Sequence, residues 1–122
     1  MIEFFVEGTP VPQGSMKYIG NGRMIHSRQA ELATWRALIA HKAKETGIWV
    51  TEEPVRLELV FHLRKPKTVK REFPTVAPDL DKLIRAVGDA LHNVAYLDDS
   101  QIIDISAKKV YSDTLGVQIK IF

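Results

Sequence analysis

The sequence contains no cysteine, and this absence excludes disulfide bonds, cysteine-ligated zinc and thiol catalysis. It also makes a cytoplasmic location the simplest expectation. No apolar run approaches the roughly 18 residues that a membrane-spanning helix needs. The first residues include Glu3 and Glu7, where a secretory signal would carry basic side chains. We therefore expect neither a signal peptide nor an association with a membrane.

The net charge is also small, at +2 over 122 residues, and alone it identifies no partner. The cations are nevertheless unevenly distributed, because a run of them precedes an aspartate-rich stretch. The run consists of Arg64, Lys65, Lys67, Lys70 and Arg71. A basic run is most often a solvated loop, and the alternative is an arm that binds DNA phosphates. Weaker candidates for phosphate contacts are Lys17, Arg23, Lys108 and Lys109.

The hydrophobic content and its periodicity indicate the fold class. With 45% hydrophobic residues, the chain fits one globular domain over residues 1–122. The apolar periodicity predicts strands at residues 2–7, 55–64, 102–111 and 115–122, and helices at residues 27–46 and 80–91. This order, β-α-β-α-β-β, is typical of an α+β domain with helices packed against one mixed sheet.

Local signals refine these elements. Ser27 is a candidate N-cap of the first helix, and Gly47 follows its end. The apolar stripe of that helix is predicted to contain Leu32, Trp35, Leu38, Ile39 and Ala43. Prolines and glycines predict a shaped loop at residues 8–14, and residues 20–22 predict a tight turn. Residues 65–77 form a basic, proline-containing loop.

The second helix separates apolar from polar side chains. Its buried face is predicted to contain Leu80, Leu83, Ile84, Val87 and Leu91, and its opposite face Asp81, Arg85, Gly88 and His92. Within a regular helix Asp79 would point about 200° away from Asp81, because each residue turns about 100°. The two could bind one metal only if Asp79 lies before the first full turn. Pro78 and the N-cap preference of aspartate allow this.

The aspartates of this region have ordinary explanations and a chemical one. Asp79 and Asp81 could simply favour the positive end of the helix dipole. Asp81 could form an ordinary ion pair with Arg85, and Asp98 with Asp99 could be a polar turn. Two carboxylates about 4 Å apart repel by roughly 4 kcal/mol at an effective dielectric constant of about 20, so a cluster needs a cation or a shared proton. Oxygen ligands without cysteine or histidine favour Mg²⁺ or Mn²⁺.

Two separated motifs carry a resemblance to a known family. Residues 78–91 read PDLDKLIRAVGDAL, and residues 95–102 read AYLDDSQI. They closely resemble the signature of the RusA family of Holliday junction resolvases, a P-D-L-D-N-L-x-K-A-x-x-D-A-L helix followed by a D-D-[SA]-Q-[IV] turn. Residues 8–15, GTPVPQGS, are similar to the G-x-P-x-P-[QK]-G loop of the phage-encoded branch. Trp35-Arg36 matches a tryptophan and an arginine in the first helix of many relatives, so the likeness spans most of the chain.

The resemblance implies a set of site residues. Asp79, Asp81 and Asp99 would be the essential metal-binding and catalytic carboxylates, with Asp98 in a lesser, orienting role. Arg85 stands where the family has lysine. Arginine keeps the charge but cannot supply a proton as lysine can, so a role in gripping phosphate or transition-state charge remains.

Two further side chains are candidates for supporting the metal ligands. Lys82 stands where the family has asparagine, and it adds a cation beside the expected site. His92 shares the helical face of Asp81 and Arg85, which favours a supporting or phosphate contact. The alternative for His92 is an exposed histidine near the end of the helix.

For function, the resemblance implies a homodimer that binds four-way DNA junctions and nicks two strands symmetrically in recombination and repair. Mg²⁺, or Mn²⁺ in its place, would be the cofactor, and a phage or prophage origin would fit. The approximate twofold symmetry of a four-way junction suits an isologous dimer. Two alternatives stay open: a broader nuclease acting on flaps or single strands, and a catalytically silent DNA-binding protein of the same fold. The intact Asp79, Asp81 and Asp99 argue against the silent protein.

Overall fold

Four strands form one mixed sheet in this computed structural model, which describes residues 1–14 and 22–122 and the side chains of the first helix from residue 29 onward. The strands are β1 (Ile2–Glu7), β2 (Val55–Leu63), β3 (Ile102–Tyr111) and β4 (Gly116–Ile121), in the spatial order β1-β4-β2-β3. β4 is antiparallel to both of its neighbours, and β2 is parallel to β3. The predicted mixed sheet is confirmed.

The alternation along β2 explains why the sheet has one covered face. Leu57, Leu59 and Phe61 are buried, whereas the residues between them are more exposed. The buried side chains join Val117 and Ile119 of β4 in one hydrophobic core with the helices. The opposite face is mostly polar on β2 and β4, as is common for a sheet with one face in contact with solvent.

Two helices, α1 (Gly22–Glu45) and α2 (Leu80–Leu91), cover the apolar face of the sheet, so the predicted α+β element order is confirmed. α2 occupies the residues that its apolar period predicts. It buries Leu83, Val87 and Leu91 completely, and Leu80 and Ile84 pack against the core from its edge. The opposite face of α2 is thereby left for polar groups.

The predictions for α1 are wrong at two points. α1 begins at Gly22, so Ser27 lies within the helix and is not its N-cap. A serine N-cap is only a local preference, and Arg23 and Met24 before it are good helix formers. Leu38 is 41% exposed, whereas Trp35 and Ile39 are buried. The stripe is therefore narrower than predicted, with Leu38 at its margin.

Some predicted features lie outside the described residues. These are Lys17, residues 20 and 21 of the turn predicted at residues 20–22, the last residue of the 8–15 motif, and the side chain of Arg23. Among the described residues, no helix has the length and apolar character to span a membrane.

The β2-α2-β3 unit determines where the polar groups of α2 lie. Lys109, near the end of β3, donates a hydrogen bond to the carbonyl of Pro78, just before α2. Asp99, which precedes β3, contacts Asp89 near the end of α2. α2 therefore runs antiparallel to β3, and its two ends lie near opposite ends of that strand.

Candidate active site

Asp79 lies at the start of α2 with a carboxylate that is not used for capping. Its backbone is extended, with φ −70° and ψ 136°, and its side chain makes no capping hydrogen bond. It therefore lies before the first helical turn, which is the geometry that a site shared with Asp81 requires. The Asp79 carboxylate lies 3.4 Å from the Lys82 ammonium, and both side chains are substantially exposed. This ion pair gives the unusual lysine at position 82 a structural contact.

Asp81 and Arg85 project from the polar face of α2 into solvent. Among the described ion pairs, none within 4.0 Å joins these two side chains. The ordinary i,i+4 ion pair is therefore not formed. The Arg85 guanidinium keeps its donors for another partner, and arginine donors match the geometry of phosphate oxygens.

A carboxylate pair lies at the other end of α2. The Asp99 side chain is in hydrogen-bonding contact with that of Asp89. The pKa of Asp99 is raised, chiefly by desolvation and then by the negative charge of Asp89, although His92 acts in the opposite direction. Two carboxylates in contact must share a proton or a cation. Among the described residues, this pair is therefore a candidate place for a cation or a shared proton.

The loop at residues 8–14 holds the Asp89 side of this pair. The Gln13 amide nitrogen donates a hydrogen bond to the Asp89 carboxylate. The Gln13 main-chain N–H donates to the carbonyl of Lys82 over 2.9 Å, which fixes the loop on α2. The Gln13 Oε1 atom is buried without a hydrogen-bond partner. An unpaired buried acceptor beside two carboxylates fits a place for a cation or its bound water.

In the turn before β3, the neighbouring residues Asp98 and Asp99 have different contacts. A 3-10 turn covers Asp99–Gln101, and Asp98 caps it by accepting a hydrogen bond from the Ser100 N–H over 2.9 Å. These contacts with Ser100 lower the pKa of Asp98. The Gln101 side chain completes the capping box and donates to the carbonyls of Thr51 and Glu53. Asp98 and Gln101 thus shape the turn that presents Asp99 to Asp89.

The predicted carboxylates are not all gathered within one chain. Asp81 and Asp89 are eight residues apart on α2, which corresponds to about 12 Å along the helix axis. Asp99 contacts Asp89, so it lies at the end of α2 away from Asp79 and Asp81. Among the described residues, no group of three or more histidine, aspartate or glutamate side chains is close enough to hold a metal ion.

The basic loop meets the sheet at β3. The Arg71 Nε donates a 2.8 Å hydrogen bond to the Tyr111 hydroxyl, and the Lys65 ammonium lies 5.8 Å from the centre of the same ring. Arg64 and Lys65 line an open cleft of about 440 Å³ together with Tyr111. Lys67 and Lys70 are exposed. The loop therefore presents several cations from a position fixed by an aromatic side chain.

Lys109 has a different environment from these cations. Its ammonium donates to the carbonyls of Val76 and Pro78, at 2.7 and 2.8 Å. These bonds attach the loop to β3 immediately before Asp79. The DNA contact of Lys109 stays a prediction. Its hydrogen bonds to the loop are present in the folded chain without DNA.

Sequence reasoning did not single out Asp89, Gln13 or Tyr111. A signal was available for Asp89, because it lies four residues after Arg85 and about 80° from Asp81 on the helical wheel. It also occupies the aspartate position in the D-A-L end of the motif. The [QK] position of the loop motif was a signal for Gln13, although its contact with Asp89, 76 residues away, was not. No local signal identifies Tyr111, because its partner is 40 residues away.

Carboxylates that hold divalent cations serve enzymes that cleave phosphodiesters, and basic side chains bind the DNA backbone. Comparison with known proteins gives the family. The family model described as "Endodeoxyribonuclease RusA" matches residues 7–122. A protein of Bacillus subtilis (strain 168), described as "Uncharacterized protein YqaN", is 32% identical over 137 aligned residues, which cover 98% of this chain and 94% of the relative. The chain therefore belongs to the RusA endodeoxyribonuclease family.

Proposed function

We propose that this protein is a Mg²⁺-dependent endonuclease that resolves four-way DNA junctions, with Mn²⁺ able to replace Mg²⁺. Membership of the RusA family supports endonuclease activity on DNA. The observation that best supports metal dependence is the contact between Asp89 and Asp99, because two carboxylates in contact need a cation or a shared proton.

The available donors fit a hard divalent cation. Asp79, Asp81 and Asp99 offer carboxylate oxygens, and the buried Gln13 Oε1 offers an amide oxygen. Oxygen ligands without sulfur or nitrogen match Mg²⁺ and Mn²⁺. When bound, such a cation lowers the pKa of a water molecule and offsets negative charge on the phosphate.

The chain's own residues would do the remaining work. Asp79, Asp81 and Asp99 would hold the cation, and Asp98 would stabilise the turn that presents Asp99. Arg85 is exposed and has no ion pair among the described side chains, which supports a role in contacting a phosphate oxygen or the charge that develops on it. The loop from Arg64 to Arg71 would bind the DNA backbone without reading its sequence.

We infer that two chains build each site. Asp79 and Asp81 lie at one end of α2, and Asp99 lies beyond its other end. In a twofold dimer with two antiparallel α2 helices, the start of one helix lies beside the end of the other. Each dimer would then contain two equivalent sites, which suits paired nicks on a junction with approximate twofold symmetry.

A cleavage assay on matched four-way, flap and linear DNA tests this proposal. We expect the four-way junction to be cut with Mg²⁺ or Mn²⁺ and not in EDTA. The variants Asp79→Asn, Asp81→Asn and Asp99→Asn should each lose cutting and still bind the junction. Equal cutting of all three substrates would support the broader nuclease instead. Cutting in EDTA, or by any of the three variants, would contradict the metal site.

A further inference from the structure

Lys109 occupies a position on β3 that connects the sheet with the start of α2. Its ammonium donates to the carbonyls of Val76 and Pro78, at 2.7 and 2.8 Å. The Pro78 carbonyl belongs to the peptide unit that joins Pro78 to Asp79. Lys109 therefore holds the backbone that directly precedes one of the carboxylates assigned to the metal.

The segment that Lys109 holds has little regular structure of its own. Residues 64–79 contain neither a helix nor a strand, and their internal backbone hydrogen bonds include those of Val69 and Thr75. This segment is connected with β3 by hydrogen bonds in both directions. Arg71 donates to the Tyr111 hydroxyl, and Lys109 of β3 donates to carbonyls of the segment. A segment of this kind needs outside contacts to keep one conformation.

Of the two lysines near Asp79, one contacts its side chain and the other contacts the main chain that precedes it. The Lys82 ammonium lies 3.4 Å from the Asp79 carboxylate and so contacts its side chain. Lys109 instead binds the main-chain carbonyls on the preceding residues. Two of the three ammonium donors of Lys109 are used in this way. Its environment is therefore that of a group that fixes the loop, and not that of a solvated phosphate-binding cation.

We propose that Lys109 is a positioning residue for Asp79. By attaching the Val76 and Pro78 carbonyls to β3, it fixes where α2 begins and so where the Asp79 carboxylate lies relative to the metal. This inference rests on the proposed function, which assigns Asp79 to the metal. It predicts that loss of Lys109 impairs metal binding and turnover and leaves junction affinity nearly unchanged.

Three variants of the full-length protein test this role. Lys109→Met keeps the length of the side chain and removes its donors. Lys109→Arg keeps the charge and supplies several donors that can reach carbonyl oxygens. Lys120→Met is the control, because it removes the same charge from β4, where Lys120 lies 3.7 Å from Glu3. The measurements are kcat and KM for junction cleavage, junction Kd without divalent cation, Mn²⁺ affinity of the DNA-free protein by electron paramagnetic resonance, and melting temperature.

For Lys109→Met we expect kcat to fall by up to about a hundredfold, because a misplacement of roughly 1 Å can cost that much. Mn²⁺ affinity should fall with it, whereas KM and junction Kd should change little. Lys109→Arg should recover part of both losses. Lys120→Met should behave as the wild type.

Three results would overturn the inference. Wild-type kcat and Mn²⁺ affinity in Lys109→Met would show that Asp79 does not depend on this contact. A weaker junction Kd with unchanged kcat would make Lys109 a phosphate contact. A lower melting temperature with unchanged kcat and Mn²⁺ affinity would make its role purely structural. If the wild-type protein neither cuts junctions nor binds Mn²⁺, the proposed function fails first, and this inference fails with it.

Discussion

At the scale of single residues, two adjacent aspartates differ because of their partners. Asp98 receives a hydrogen bond from the Ser100 N–H, which lowers its pKa. Asp99 meets the carboxylate of Asp89, and desolvation together with that charge raises its pKa. The D-D-S-Q sequence reveals the turn, since its capping contacts are local. It cannot reveal Asp89 as a partner, because that contact depends on the direction of α2.

Arg85 offers a test at this scale. It is exposed on the face of α2 that carries Asp81. Among the described ion pairs, none joins Arg85 to Asp81. If it contacts transition-state charge, Arg85→Ala should lower kcat by about 10²- to 10³-fold, and Arg85→Lys should keep much of the activity. Arg56→Ala, which removes the same group from an exposed position on β2, is the matched control. Wild-type turnover in Arg85→Ala would leave Arg85 as a surface side chain.

Tyr96 provides a pH test of the buried part of the site. Its side chain is fully buried and donates a hydrogen bond to the Gly88 carbonyl. Desolvation, followed by the charges of Asp99 and Asp89, raises the pKa of Tyr96. Above about pH 10 an unfolded tyrosine loses its proton while the folded one keeps it, so stability must fall as pH rises, by up to about 1.4 kcal/mol per pH unit.

Chemical denaturation of the wild type and Tyr96→Phe between pH 7 and 11 would measure this effect. At pH 7 the variant should be less stable by about 1 kcal/mol, because it lacks the hydrogen bond. The difference should shrink above about pH 10, since only the wild type loses stability through this group. A difference that stays constant with pH would mean that Tyr96 titrates normally in the folded protein.

At the scale of elements, periodicity predicts more than local capping signals do. The bounds of α2 follow from its apolar period, because that stripe is what the core buries. The prediction that α1 starts at Ser27 was wrong because a serine cap is only a local preference, worth about 1 kcal/mol, and good helix formers precede it. The prediction that Leu38 is buried was wrong because the apolar period identifies a helix face but not how much of that face is covered. The attachment of the basic loop to β3 could not be predicted from the sequence, because Arg71 and Tyr111 are 40 residues apart.

The basic loop gives a prediction for DNA binding. If its cations neutralise phosphates, junction affinity must fall steeply with salt through counterion release. Neutralising Lys67, Lys70 and Arg71 together should weaken binding and flatten the log-log salt slope by about one unit for each lost contact. Sequence preference should not change. A control with the same charge change at Lys42, Lys44 and Lys120 should keep the wild-type slope, and an unchanged slope in the loop variant would mean that the loop is only solvated.

At the scale of the whole molecule, the distribution of the carboxylates along α2 is the central feature. One end of the helix carries Asp79 and Asp81, and the other end meets Asp99. The sequence places these residues in two motifs but says nothing of their separation across a helix of 12 residues. The proposed homodimer, which pairs the two ends, would explain the separation. If it forms, sedimentation should report about twice the chain mass of 13.8 kDa.

Complementation between two inactive variants tests this account most directly. Asp81→Asn and Asp99→Asn should each be inert on junctions as homodimers. In a heterodimer purified with two different tags, one site would carry both substitutions and the other would carry neither. If each site takes Asp81 from one chain and Asp99 from its partner, the heterodimer should nick one strand of each junction. A heterodimer as inert as the two homodimers would contradict the account, because each chain would then hold its own complete site.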